Sequence, residues 1–171
     1  MKKLLLLLLL LGLAVAGSAG LFDTKEKEER KIQAGLEALE LRNYAEAFHQ
    51  WKDLADKGNP EAQYHIGWLY ANGFGVGVDV PMAISWWERA AEQDHAPSQF
   101  SLGMIFMTGD GKSIKKNIDE AIAWHMKAAE NGSTDGQEMM RQLYKTRRNA
   151  VLKQFPDIAR RSWFKPEKSG K

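Results

Sequence analysis

Cysteine is absent from all 171 residues, which excludes a disulfide framework, a thiolate metal site and an anchor linked through cysteine. Histidine is scarce too: His49, His65, His95 and His125 are widely separated, and none reads as part of a zinc-binding pair, so no metal is expected. After the first 16 residues no apolar run approaches the roughly 20 residues that span a bilayer. What remains is 44% apolar and 27% charged, with six Trp and seven Phe, the composition of a single folded domain whose stability comes from packing.

The N-terminus has a secretory pattern. Lys2 and Lys3 precede an apolar stretch from Leu4 to Ala16, and either Ala14-Val15-Ala16 or Gly17-Ser18-Ala19 has the small-residue shape of a cleavage site; the second makes residues 1–19 the expected cleaved signal peptide, and cleavage makes the protein periplasmic or secreted. Removing the leader takes the formal net charge from +2 to 0, and that zero conceals a division. Residues 20–140 hold twelve basic against twenty acidic side chains, and residues 141–171 hold ten against two. Export makes nucleic acid an unexpected partner.

The chain repeats itself. Ala62-Gln63-Tyr64-His65-Ile66-Gly67-Trp68-Leu69-Tyr70 returns 36 positions later as Ser98-Gln99-Phe100-Ser101-Leu102-Gly103-Met104-Ile105-Phe106. A second half-unit occurs at Ala47–Asp56, Ala83–Glu92 and Ala121–Glu130, the last displaced by 38. Small residues recur where helices approach closely, and aromatics recur where gaps need filling. Asn43, Asp79 and Asn117 are placed to cap the second-type helices, with Glu46 and Glu120 completing capping boxes, and Gly58 and Gly132 stand at the helix stops. Glu26–Arg42 and Asp135–Arg148 read as further first-type helices, for a total of seven.

Tyr64, Gly67, Tyr70, Gly73-x-Gly75, Asp79, Ala83, Trp86-Trp87 and Ala90-Ala91 together resemble the Sel-one-like repeat, a relative of the tetratricopeptide repeat. The resemblance implies an all-α fold, a short right-handed α-solenoid of antiparallel helix pairs. Its units are a capping repeat over 25–58, repeats over 59–94 and 95–132, a capping helix over 133–148 and a basic tail over 149–171. Asp94 replaces the glycine, Gly77 a proline and His125 the second aromatic of the family pattern.

Catalytic motifs are weak. The glycines at 73, 75 and 77 connect helix to helix, not strand to helix as a phosphate-binding loop requires. Ser113-x-x-Lys116 and Ser162-x-x-Lys165 have the spacing of penicillin-recognising nucleophiles, but their Ser-Asp-Asn and Lys-Thr-Gly partners are missing. The expectation is a non-catalytic adaptor or scaffold of the bacterial envelope without a cofactor; the alternative is a regulator or inhibitor of a cell-wall enzyme, or a β-lactamase-like enzyme. On the first-type helices, 3.6-residue periodicity sets Leu36, Trp68 and Met104 in a row, flanked by His65, Ser101 and Met139, as the concave face for a protein or peptide partner. In the tail, Arg160, Arg161, Trp163, Phe164 and Lys165 either contact a membrane or cell-wall surface or fold back as a cap.

Overall fold

The computed structural model describes residues 24–164, so the leader and Lys165 lie outside the described residues. The first helix, α1, is described over 24–40. It is followed by α2 (Tyr44–Asp56), α3 (Pro60–Asn72), α4 (Val80–Ala91), α5 (Ala96–Thr108), α6 (Ile118–Glu130), α7 (Thr134–Thr146) and α8 (Arg148–Gln154), with a 3₁₀ turn at Ile158–Arg160. No strand occurs among the described residues, and no helix there is long and apolar enough to cross a membrane.

Local chemistry sets the helix ends. Asn43, Asp79 and Asn117 each accept from the backbone N–H three residues on, at 3.4, 2.8 and 3.2 Å, relieving amides that have no partner within the helix. The reciprocal half of the expected capping boxes is missing. The Glu46 carboxylate accepts from Gln50 and that of Glu120 from the Asn117 side chain, so neither returns to the cap backbone. At the other ends Gly58, Asp94 and Gly132 share a left-handed conformation, with φ of 97°, 60° and 88°. There the next residue's N–H bonds back to the carbonyl of Leu54, Ala90 or Ala128. Asp94 accepts the strain of that geometry, and its carboxylate takes a 3.1 Å bond from Asn131 of the following unit.

Each pair closes around one large ring seated on a glycine of a first-type helix. A Cβ on Gly35 would lie 2.2 Å from the Trp51 ring, one on Gly67 2.6 Å from Trp87, and one on Gly103 2.5 Å from His125. Glycine is therefore required at three equivalent places, because only its bare backbone lets the ring reach the helix axis. A second periodic device is a side-chain amide. Gln63, Gln99 and Gln137 each donate from Nε2 to a carbonyl near the end of the preceding second-type helix, those of Ala55, Ala91 and Ala129, at 3.1, 3.1 and 3.3 Å. Stacking these units gives a core in three successive clusters, centred on Trp51 and Ile66, on Trp87 and Leu102, and on Ile122 and Met140. The result is a short helical solenoid.

The seven expected helices are joined by an eighth. Residues 148–164 form a docked cap and not a free tail: Val151, Ile158 and Phe164 enter the third cluster, with Phe164 only 3% exposed and edge-on to Tyr144 at 5.1 Å. Arg161 pairs with Glu130 at 2.9 Å, and Arg141 donates to the Trp163 carbonyl at 2.8 Å. The surface-binding reading of Phe164 is thereby corrected. Its apolar surface is already spent on the end of the solenoid, which otherwise would leave Met140 and Leu143 open to water.

Candidate functional site

The face built by α3, α5 and the start of α7 carries a groove of about 440 Å³. Trp68 and Met104, equivalent residues of successive units, lie along it, with Tyr64 and Phe100 one helical turn before them and Asp135 at the α7 end. Met104 is 37% exposed.

The groove owes its existence to one small side chain. In α3, His65 stacks on Trp51 with ring centroids 4.3 Å apart and closes the gap between the first two units. Ser101 stands at the equivalent place in α5, too short to cover Trp87, whose ring edge then helps to wall the groove. At the third place Met139 packs into the C-terminal cluster. A depression therefore opens at the middle unit because the sequence there substitutes a hydroxymethyl group for a ring.

Of the residues expected to form the face, Trp68, Ser101 and Met104 come together in this groove. Three do not. His65 is buried under its stack with Trp51, Leu36 is half-buried against the first core cluster, and Met139 is half-buried against the third. Trp68 is itself half-buried, touches the first and second clusters and lies 5.2 Å from Phe74, so it serves packing as well as the groove. Truncating it would disturb packing together with the groove. Tyr64, Phe100 and Asp135 were missed, although the first two lie four residues before Trp68 and Met104 and share their helix face.

Electrostatics single out the rim of α3. The Glu61 carboxylate lies between two imidazoles, 3.2 Å from Nε2 of His65 and 3.0 Å from Nε2 of His95. The adjacent His65 imidazole, close to the carboxylate but not well aligned to bond it, and then the hydrogen bond with His95 hold its pKa far below the ordinary carboxylate range, against the opposing effect of burial. Burial, and then the charge of Glu61, raises the pKa of the nearby Tyr64 phenol, while a bond with the Ser101 hydroxyl works the other way.

His95 also lies 2.9 Å, through Nδ1, from the Ser98 hydroxyl, so a Ser-His-Glu array exists that sequence spacing did not reveal. Ser98 has no exposed surface and sits in the first turn of α5, where no substrate reaches it. The array works as a clamp between α3 and the start of α5. No group of three or more carboxylate and imidazole side chains among the described residues is arranged to hold a metal ion. Ser113 of the first Ser-x-x-Lys motif lies in the α5–α6 loop, where Asp110 accepts from the N–H groups of Lys112, Ser113 and Ile114.

The remaining tail candidates are dispersed. Arg160 is exposed and 3.4 Å from Asp157, Arg161 is committed to Glu130, and Trp163 is half-buried against the cap.

Comparison with known proteins agrees with this architecture. The model of the Sel1 repeat matches residues 60–95 and 96–133. The solved structure of a Sel1 repeat protein from Oxalobacter formigenes is 35% identical, with a TM-score of 0.60 over 66% of this chain and 44% of its own. That of c5321, a protective antigen present in uropathogenic Escherichia coli strains and displaying an SLR fold, is 31% identical, with a TM-score of 0.62 over 70% of this chain and 26% of its own. Chitin synthase regulatory factor 3 of Schizosaccharomyces pombe is 34% identical over 91 residues, 53% of this chain and 10% of that protein. The chain thus spans less than half the length of each of these relatives.

Proposed function

Because this chain is a Sel1-repeat protein across residues 60–133, a kind of repeat that generally mediates protein–protein contact, we propose that it is a non-catalytic adaptor of the bacterial envelope that holds a segment of a partner protein in the groove between α3, α5 and α7. The observation that carries this reading is the apolar groove floor formed by exposed Met104 and half-buried Trp68, held open by Ser101. A concave apolar strip with aromatic walls offers a guest side chain the contact that a flat surface does not. The inaccessible hydroxyl of Ser98 supports a role without turnover. The secretory pattern of residues 1–19 supports a periplasmic or secreted site of action.

The test uses two variants that leave the core alone. Met104→Glu places a charge on the groove floor, and Ser101→His refills the gap as His65 does in the preceding unit. In a crosslinking pull-down from intact cells, both are expected to lower recovery of the same partner at least tenfold, about 1.4 kcal/mol, with an unchanged helical circular dichroism signal. Equal recovery by wild type and both variants removes the groove from the function. Mass determination of the exported protein checks the cleavage near residue 19.

A further inference from the structure

The groove has a sign as well as a shape. Asp135 is the one charged residue lining it, and no lining residue is Lys, Arg or His. No ion pair to Asp135 occurs among the described residues, whereas Glu61 on the α3 rim lies between two histidines and Glu138, one turn beyond Asp135, is 3.2 Å from Arg141. Asp135 is thus the carboxylate at this site whose charge is open to a guest.

The chain also shows, elsewhere on itself, what kind of segment such a surface accepts. In the docked cap Phe164 is buried on Tyr144 as an apolar anchor, and three residues earlier Arg161 pairs with Glu130 at the end of α6. An apolar side chain and a cation a few residues apart therefore engage the neighbouring helices α6 and α7 together. The groove repeats the elements of that surface: an aromatic and thioether floor for the anchor and a carboxylate at the α7 end for the cation.

We infer that the groove recognises a basic segment of a partner protein, one apolar side chain lying on Trp68 and Met104 while a Lys or Arg within about four residues of it reaches Asp135. This rests on the adaptor reading and specifies the chemistry of the partner. An acidic or neutral segment gains nothing from Asp135 and has to strip water from it without compensation.

The experiment is selection of a phage-displayed random dodecapeptide library on the immobilised full protein, with wild type beside Asp135→Lys, Asp135→Asn and Met104→Glu. Wild type is expected to enrich peptides with an aliphatic or aromatic residue close to Lys or Arg. Asp135→Lys is expected to enrich Asp or Glu in that place and to bind the wild-type peptides about tenfold more weakly. Asp135→Asn loses the charge preference without reversing it, which keeps the test valid if the lysine disturbs the first turn of α7. Binders that depend on Met104 but are indifferent to Asp135 overturn the cation and leave the groove. Binders indifferent to both, or no enrichment, overturn the adaptor reading as well. Self-association in sedimentation that Met104→Glu abolishes assigns the groove to a second copy and overturns the inference.

Discussion

Trp51 and Trp87 fill their sockets in the same manner, each lying on a glycine and donating its indole N–H to a carbonyl three residues earlier, that of Ile32 at 3.2 Å and of Tyr64 at 3.1 Å. His125 fills the third socket on Gly103, beside Phe100 at 5.1 Å, but both its ring nitrogens are buried without a hydrogen-bond partner. The two kinds of socket share a shape and differ in chemistry. A planar ring is enough to keep the helix pair together, while the polarity of that ring decides how the pair responds to acid.

The largest effect that separates them is truncation. Trp87→Ala removes a ring and a hydrogen bond and is expected to cost about 4 kcal/mol, and His125→Ala about half as much, because the lost ring is smaller and has no bond to give up. Urea unfolding of both variants measures this, and equal losses would erase the distinction between the sockets.

Acid gives the next largest effect. Burial pushes the pKa of His125 down to about 4 from its ordinary 6.5. Between those values the unfolded chain binds a proton that the folded chain refuses, so stability is complete above pH 6.5 and falls as the pH drops toward 4. The loss amounts to about 2 to 3 kcal/mol over that window. His125→Phe is expected to flatten this part of the stability curve, followed by chemical denaturation at a series of pH values; a slope that survives the substitution places its origin elsewhere.

The smallest effect belongs to the clamp around Glu61. Its pKa is lowered in the folded chain, so its contribution is present above the ordinary carboxyl value of 4.5 and is lost as the pH falls below it. The carboxylate is half-exposed, which keeps that contribution small. Glu61→Gln is expected to lower the melting temperature by a few degrees at neutral pH and by less near pH 3, where the unfolded wild-type chain takes up a proton at this carboxyl while the folded chain still holds the charge. An equal decrease at both pH values would show that the carboxylate charge is irrelevant to the clamp.

Much of the fold was legible because it repeats. The recurrence of Gly67 and Gly103 and of Trp51 and Trp87, with His125 at the next position, marks equivalent positions in successive units, while the seating of each ring on a glycine comes only from the fold. The caps at Asn43, Asp79 and Asn117 follow from side-chain chemistry acting over three residues. The groove was half legible. Periodicity along one helix places Trp68, Ser101 and Met104 on a common face, but it carries no information about which neighbour covers that face. His65 looked equivalent to Ser101 and is buried, since Trp51 reaches across from α2 to stack on it. Asp135 was overlooked because it belongs to the next unit and meets the groove only through the stacking of α7 on α5 and α6.

The amino-acid sequence by itself determined the helices, their ends and the unit that repeats, since each depends on side chains within a few residues of one another. Tertiary structure alone decided the opening at Ser101, the clamp joining Glu61, His65 and His95, and the docking of Phe164 on the last helices. Those features arise between different helices, as when His95 reaches Glu61 34 positions away, or at a chain end whose basic charge fits a surface as well as it fits a cap. Only burial of the remaining apolar end of the solenoid distinguished the two.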